Sequence, residues 1–554
     1  MTLRHGGKIL VDQLVIHGAD TAFTVPGESF LAVLDGFYDV QDKVKLVVCR
    51  HEAGAANMAE AYGKLTNRPG LCFVTRGPGA AHAAVGVHTA FQDSTPMILF
   101  IGDVGRDFRD REAFQEVDFA AMFRPLAKWA ERIDDVARIP EYVARAYQIA
   151  ASGRRGPVVL ALPEDMLTQE ADVRDAKHYV PSEPHPGREN MERFQHLLAN
   201  ARSPIVILGG GGWTREACND MQRFAEANRL PMTCAFRFQD LFDNRHPNYV
   251  GDVGIGINPV LAERVRMSDL VIAVGPRLGE MTTSGYTLFD SPVPRQKLVH
   301  VHPGAEEIGR VFQPELGILS AMPHFARALA AMTAVENPPW AKAVPEARAD
   351  FEAWTSRREI PGRVQMWDVI DYLNRNLPED SIWCNGAGNY ATWLHRFHRY
   401  TGWRTQLAPT SGAMGYGVPA AIAAKIARPE RTVVAFGGDG CFLMASPELA
   451  TAVQYDAAVI FIVVNNGMYG TIRMHQEKNY PGRVSGTELQ NPHFAALARS
   501  FGAVAEIVEE TAQFGPAFER CVASGKPALI EVRIDPQAIT PNTTLDQIRA
   551  AAKR

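Results

Sequence analysis

The sequence has few features that would mark a secreted, membrane-bound or nucleic-acid-binding protein. Its seven cysteines are scattered along 554 residues, with no Cys-x-x-Cys pair. An odd, unpaired set suggests neither a disulfide framework nor a zinc site, so a reducing compartment is expected. No uninterrupted apolar run approaches the length needed to cross a bilayer, which predicts no membrane partner. The first residues, MTLRHGGKILVDQLVIHGAD, read as amphipathic; they lack a secretory apolar core and a small-residue cleavage site, and the expected location is cytoplasmic. Charge is not of one sign: 57 Lys and Arg against 62 Asp and Glu leave a formal net charge of −5. No basic patch calls for nucleic acid, and no low-complexity tract or short repeat is present.

What is there is a globular composition, 46% hydrophobic and 21% charged, on a chain too long for one ordinary core. Apolar strand-like runs alternate with helical patterns in three blocks. The first holds LVVC, LCFVT, PMILFIG and PVVLALP; the second PIVILGGGG, LVIAVG and KLVHVHP; the third SIWCNGAG, TVVAFGGDG, AVIFIVVNN and PALIEVRID. Two irregular passages, VPSEPHPGREN and ENPPWAKAVPEARADFEAW, separate them. The pattern predicts an α/β protein of three domains, over residues 1–170, 190–335 and 360–540, each a mainly parallel sheet covered by helices on both faces.

One stretch carries specific chemistry. In GGDGCFLMASPELATAVQYDAAVIFIVVNNGMYG an apolar strand runs into Gly438-Asp439-Gly440, a helix follows, and a second apolar strand ends at Asn465-Asn466. In a parallel sheet both strand ends lie on one edge, where open α/β sheets bind ligands. Asp439 and Asn466 can therefore converge through oxygen on a hard divalent cation suited to Mg2+. The glycines let backbone amides approach a diphosphate at a helix N-terminus.

This stretch resembles the cofactor motif of thiamine-diphosphate-dependent enzymes, and three further segments extend the resemblance. Arg50-His51-Glu52-Ala53-Gly54 matches the family's catalytic glutamate segment. The resemblance implies that Glu52 bonds the cofactor's pyrimidine nitrogen and so promotes loss of the thiazolium proton. Pro409-Thr410-Ser411-Gly412-Ala413-Met414-Gly415 matches the stretch that keeps the cofactor bent, with Met414 between the two rings and the Gly412 carbonyl on the aminopyrimidine. Cys384-Asn385-Gly386-Ala387-Gly388-Asn389-Tyr390 matches a diphosphate loop, with Gly388, Asn389 and Tyr390 against the cofactor. Gly438, Gly440, Cys441, Met468 and Tyr469 complete the implied cofactor contacts, and the Met468 carbonyl joins Asp439 and Asn466 as a metal ligand.

RHEAGAANMAEAYG, GPGAAHAAVGVHTAFQDSTPMI, AFQEVDF and GAMGYGVPAAI are most similar to the acetolactate synthase large subunit and related carboligases. The resemblance implies decarboxylation of a small 2-keto acid, with pyruvate as default, and ligation of the remaining carbon to a second carbonyl compound. A simple decarboxylase, a benzoin-type hydroxyketone lyase or ligase acting on aldehydes, and an FAD-dependent oxidase like pyruvate oxidase remain open. Gln115 matches a glutamine beside the reacting carbon in related carboligases. Glu28, in Pro26-Gly27-Glu28-Ser29, makes the mouth more polar than an acetolactate site, and His475 is a candidate proton-transfer group. In the central domain, Gly209–Gly212 and Arg277 make FAD a candidate second cofactor. Because Glu52 and the metal residues fall in different domains, the family arrangement implies a homodimer or homotetramer with the cofactor at a subunit interface.

Overall fold

The computed structural model describes residues 3–553. Three six-stranded sheets form, and every pairing inside them is parallel. The first contains, in chain order, Thr21–Thr24, Lys45–Val48, Gly70–Val74, Met97–Asp103, Trp129–Arg132 and Pro157–Pro163. Across the sheet these run second-first-third-fourth-sixth-fifth. The strands of the third sheet are Ile382–Asn385, Gln406–Leu407, Val433–Gly438, Ile460–Asn465, Val504–Val508 and Ala528–Arg533, and they run in the same order. The central sheet, from Pro204–Leu208 to Leu316–Leu319, runs third-second-first-fourth-fifth-sixth, the order of dinucleotide-binding doubly wound folds.

The strands are apolar because both faces are covered. All seven residues of Met97–Asp103 are buried. Ile98 and Phe100 pack with Ile9, Leu10 and Leu14 of the helix Gly6–Ile16 and with Val143 and Ala146 of the helix Ile139–Ala151. Leu99 and Ile101, with side chains on the opposite face, are equally buried. The helices Glu52–Thr66 and Gly77–Asp93 pack on one another.

The chain divides into two compact units. One consists of residues 1–182 together with two later segments, 418–429 and 445–457; the other holds 183–417, 430–444 and 458–554. Their first boundary falls within the Pro-rich passage after the first sheet. No helix among the described residues is long and apolar enough to cross a membrane.

Candidate active site

In the first unit, the strand Lys45–Val48 delivers the chain into the helix Glu52–Thr66, whose first residue is Glu52. His51 caps that helix, its Nδ1 accepting from the Ala53 amide at 3.1 Å. Only 15% of the Glu52 side chain is exposed. Its Oε2 lies 2.9 Å from His82 Nδ1, and the His82 ring stacks on His51 with centroids 4.5 Å apart. Its Oε1 faces Gly79, which has no side chain to cover it. His51, Glu52 and His82 also bring three potential metal-ligand atoms within 4.8 Å of one another. Both Nδ1 atoms are already engaged, so an ion at those nitrogens would displace the helix cap and the Glu52 bond. The arrangement orients Glu52 and is not a ready metal centre.

A carboxylate from far along the sequence seats the turn before Glu52. Buried Glu448 accepts from the Arg50 amide at 3.1 Å, the His51 amide at 3.0 Å and Thr451 Oγ1 at 2.5 Å. Burial pushes its carboxyl above the usual range against the pull of those donors. Gly54 admits it: a Cβ there would lie 2.3 Å from Glu448 Oε1. The sequence reading missed Glu448 because nothing in SPELAT, read alone, departs from an ordinary helix start.

Thr75 and Arg76, with the first residues of the helix Gly77–Asp93, collect the other polar residues of this edge. Thr75 Oγ1 lies 2.9 Å from Ser29 Oγ. Buried Arg76 donates to Glu164 at 2.5 Å and reaches Glu28 at 3.4 Å. The Gly77 amide donates to the Gln115 carbonyl at 3.1 Å. Gln115 sits at φ 64°, a left-handed conformation costly for a non-glycine residue. Glu28, Glu52 and Gln115 thus stand along this stretch, with Glu28 the most exposed at 63%.

Asp103 ends its strand at the same edge, and burial pushes its carboxyl up to about 6, with the Val104 amide and the Arg132 charge opposing. A folded-state value raised above the ordinary one means that the folded protein binds the proton more tightly. The resulting stability is complete below about pH 4 and lost as pH rises through about 6, a swing of roughly 2–3 kcal/mol. Asp103→Asn is therefore expected to flatten the fall in melting temperature between pH 5 and pH 7, measured by differential scanning calorimetry.

In the second unit, Asp439 is buried at the carboxyl end of Val433–Gly438. Its Oδ1 accepts from the Gly440 amide at 2.9 Å, and its Oδ2 from the Gly467 amide at 2.9 Å and Asn491 Nδ2 at 2.8 Å. Burial raises the carboxyl despite these donors. Asn465 Oδ1 accepts from the same Asn491 amide at 3.0 Å, and Asn466 Oδ1 from the Met468 amide at 3.3 Å. Asn491 Oδ1 is buried without a hydrogen-bond partner. A cluster of oxygens around an anionic carboxylate, one of them orphaned, fits a hard cation. Asn491 was not anticipated, because it lies outside every motif and reaches the site only through the fold.

Three loops meet around Asp439. Tyr390 opens the helix Tyr390–Phe397, and its ring lies where a Cβ on Gly438 would meet it at 2.7 Å. Its hydroxyl donates to Cys441 Sγ at 3.1 Å, and the Gly415 amide donates to the same sulfur at 3.2 Å. Burial holds the Cys441 thiol above its ordinary range. Gly440 packs against the Tyr469 ring. Asn389 spends its side chain on Ile539, Met474 and Thr471, and its carbonyl accepts from the Thr392 amide and hydroxyl. Gly388 and Gly412 both have positive φ. Met414 is half-buried in a turn, and His475 lies exposed on the helix Gly470–Asn479.

The glycines of the central sheet have a packing explanation. A Cβ on Gly210 would lie 2.0 Å from the Gly275 carbonyl oxygen, and one on Gly275 2.4 Å from that of Gly209. The two turns that flank the switch point close on each other, and Arg277 pairs with buried Glu307. Close packing accounts for Gly209 and Gly210 without a bound nucleotide.

Family models for thiamine pyrophosphate enzymes match three stretches of the chain: the N-terminal TPP binding domain over residues 4–122, the central domain over 191–329 and the C-terminal TPP binding domain over 386–532. The acetolactate synthase large subunit of Corynebacterium glutamicum is 32% identical, covering 93% of this chain and 84% of its own. The probable acetolactate synthase large subunit of Methanocaldococcus jannaschii is 29% identical over 97% of this chain and 93% of its own. Acetolactate synthase isozyme 2 large subunit of Escherichia coli is 29% identical over 96% of each. With three parallel-sheet domains and these matches, the chain belongs to the thiamine pyrophosphate enzymes and is an enzyme of acetolactate-synthase-like type.

Proposed function

We propose that the protein is a Mg2+- and thiamine-diphosphate-dependent carboligase or lyase that decarboxylates a small 2-keto acid, pyruvate by default, and ligates the remaining carbon to a second carbonyl compound. The observation that carries this reading is the oxygen cluster of Asp439, Asn466 and Asn491 beside the glycine turn at Gly438–Gly440. In it Asp439, Asn466 and the Met468 carbonyl would hold Mg2+, and the turns at Gly388–Asn389 and Gly438–Gly440 would lie against the diphosphate, with the Gly440 amide held on Asp439 Oδ1. Cys441, Tyr390 and Tyr469 back these loops, and Gly412 with Met414 supports the bent cofactor. When bound, thiamine diphosphate supplies the carbon nucleophile that makes decarboxylation of a keto acid feasible.

The chain's own residues do the rest. Glu52 Oε1 would meet the pyrimidine nitrogen, and His82, 2.9 Å from Oε2, fixes the carboxyl's orientation. Gln115 offers a hydrogen bond to the developing hydroxyl, and Glu28 with Arg76 makes the mouth polar. His475 is assigned a part in proton exchange with solvent. Two copies of the chain would supply each complete site, as in the family arrangement, within a homodimer or homotetramer.

The test is NMR product analysis with carbon-13-labelled pyruvate, cofactor and Mg2+, with and without an aldehyde acceptor. Labelled acetolactate or another ligated ketone is expected. Free acetaldehyde alone would reassign the protein as a decarboxylase, and acetate would reassign it as an oxidase. No conversion would remove pyruvate as donor and turn the search to more oxygenated keto acids, which the pairing of Glu28 with Arg76 favours.

A further inference from the structure

We propose that Arg237, from the central domain, is a positioning residue for the diphosphate cradle: it fixes the spacing of two cofactor loops and places a positive charge behind them. The inference rests on the cofactor reading above and adds a residue that none of the sequence motifs contains.

Arg237 follows the strand Met232–Cys234 and is 7% exposed. Its backbone is left-handed, at φ 64°. A non-glycine residue pays for that conformation, and the surrounding structure must favour it. The conformation accompanies a specific reach. Nη1 donates to the carbonyl of Pro409, which enters the Thr410–Met414 stretch. Nη2 donates to the carbonyl of Gly386, which enters the Gly388–Tyr390 stretch, at 3.1 Å. One rigid, planar guanidinium therefore spans the two loops, and its fork geometry sets the distance between them.

The same loops are tied a second time through Cys441, whose sulfur accepts from the Gly415 amide and the Tyr390 hydroxyl. A buried guanidinium is costly in a small apolar space. Carbonyl acceptors on both loops offset part of that cost, and a diphosphate bound in front of them would offset more. A lysine would supply the charge but not the two-pronged spacing. Arg237 would thus preorganise the cradle before the cofactor arrives, reducing the ordering cost that binding must overcome.

The experiment is a fluorescence titration of thiamine diphosphate into cofactor-free protein saturated with Mg2+, for wild type, Arg237→Lys and Arg237→Ala. Inorganic pyrophosphate serves as a competing probe of the cradle alone. Both variants are expected to lose affinity for cofactor and for pyrophosphate in parallel, by about tenfold or more. At saturating cofactor the turnover number should stay within about threefold of wild type, because Arg237 touches no reacting atom. Methylguanidinium should restore the affinity of Arg237→Ala saturably, a response that general destabilisation would not give. Equal affinities in all three proteins would overturn the assignment while leaving the cofactor reading intact. Failure of the wild type to bind thiamine diphosphate would overturn both. Loss of the fold in both variants, seen by circular dichroism, would also overturn it by making Arg237 a stabilising residue.

Discussion

Glu52→Gln is expected to slow exchange of the C2 proton of bound thiamine diphosphate by about 10²- to 10⁴-fold, measured by quenched-flow NMR in deuterium oxide. The substitution preserves shape: the amide oxygen it introduces can still accept from His82, which holds Oε2 of Glu52 in the native protein at 2.9 Å. It removes the group that exchanges a proton with the pyrimidine ring. Cofactor affinity should change by no more than about threefold, because in the proposed site the diphosphate and metal are held by other residues. A variant that bound cofactor normally and exchanged at the wild-type rate would remove Glu52 from the mechanism.

Asp439→Asn is expected to abolish most of the Mg2+-dependent cofactor affinity, by about 10- to 100-fold. The amide oxygen can take the place of Oδ2 and accept from the Gly467 amide and Asn491, while its NH2 group replaces Oδ1 and leaves the Gly440 amide without that acceptor. Burial works against the ionised carboxyl and the lost acceptor works against the amide, so the cofactor-free variant should stay folded with a melting temperature close to that of the wild type. The difference appears on loading. A ligand at 100 times its dissociation constant stabilises the folded state by about 2.7 kcal/mol. Differential scanning calorimetry should find that gain in the wild type and lose most of it in Asp439→Asn or when a chelator is added. An undiminished gain in the variant would place the metal elsewhere.

Much of the fold could be read from local pattern. Runs such as PMILFIG, buried along their whole length, announce strands covered on both faces, and their alternation with helices announces parallel sheets. Strand order could not be read, because right-handed crossovers serve either order; the central sheet differs from the other two in this respect. The glycine turn and asparagine pair stand out in the sequence because the metal and diphosphate chemistry proposed for them would demand particular residue types at strand ends. Their supports do not. Asn491 donates to Asp439 from 52 positions away, and Arg237 donates to Gly386 from 149. Glu448 accepts from the Arg50 amide across 398 positions. No periodicity or spacing encodes such contacts; tertiary packing creates them. Within Gly209–Gly212, Gly209 and Gly210 have a packing role as well, since a Cβ on either would meet the turn at Gly275-Pro276.

The most direct measurement is release of labelled carbon dioxide from [1-13C]pyruvate by purified protein supplied with thiamine diphosphate and Mg2+, followed by NMR beside Glu52→Gln and Asp439→Asn. The account predicts release by the wild type, dependent on both additions, and its loss in both variants. Wild-type release that persisted undiminished in both variants, or without cofactor, would contradict it.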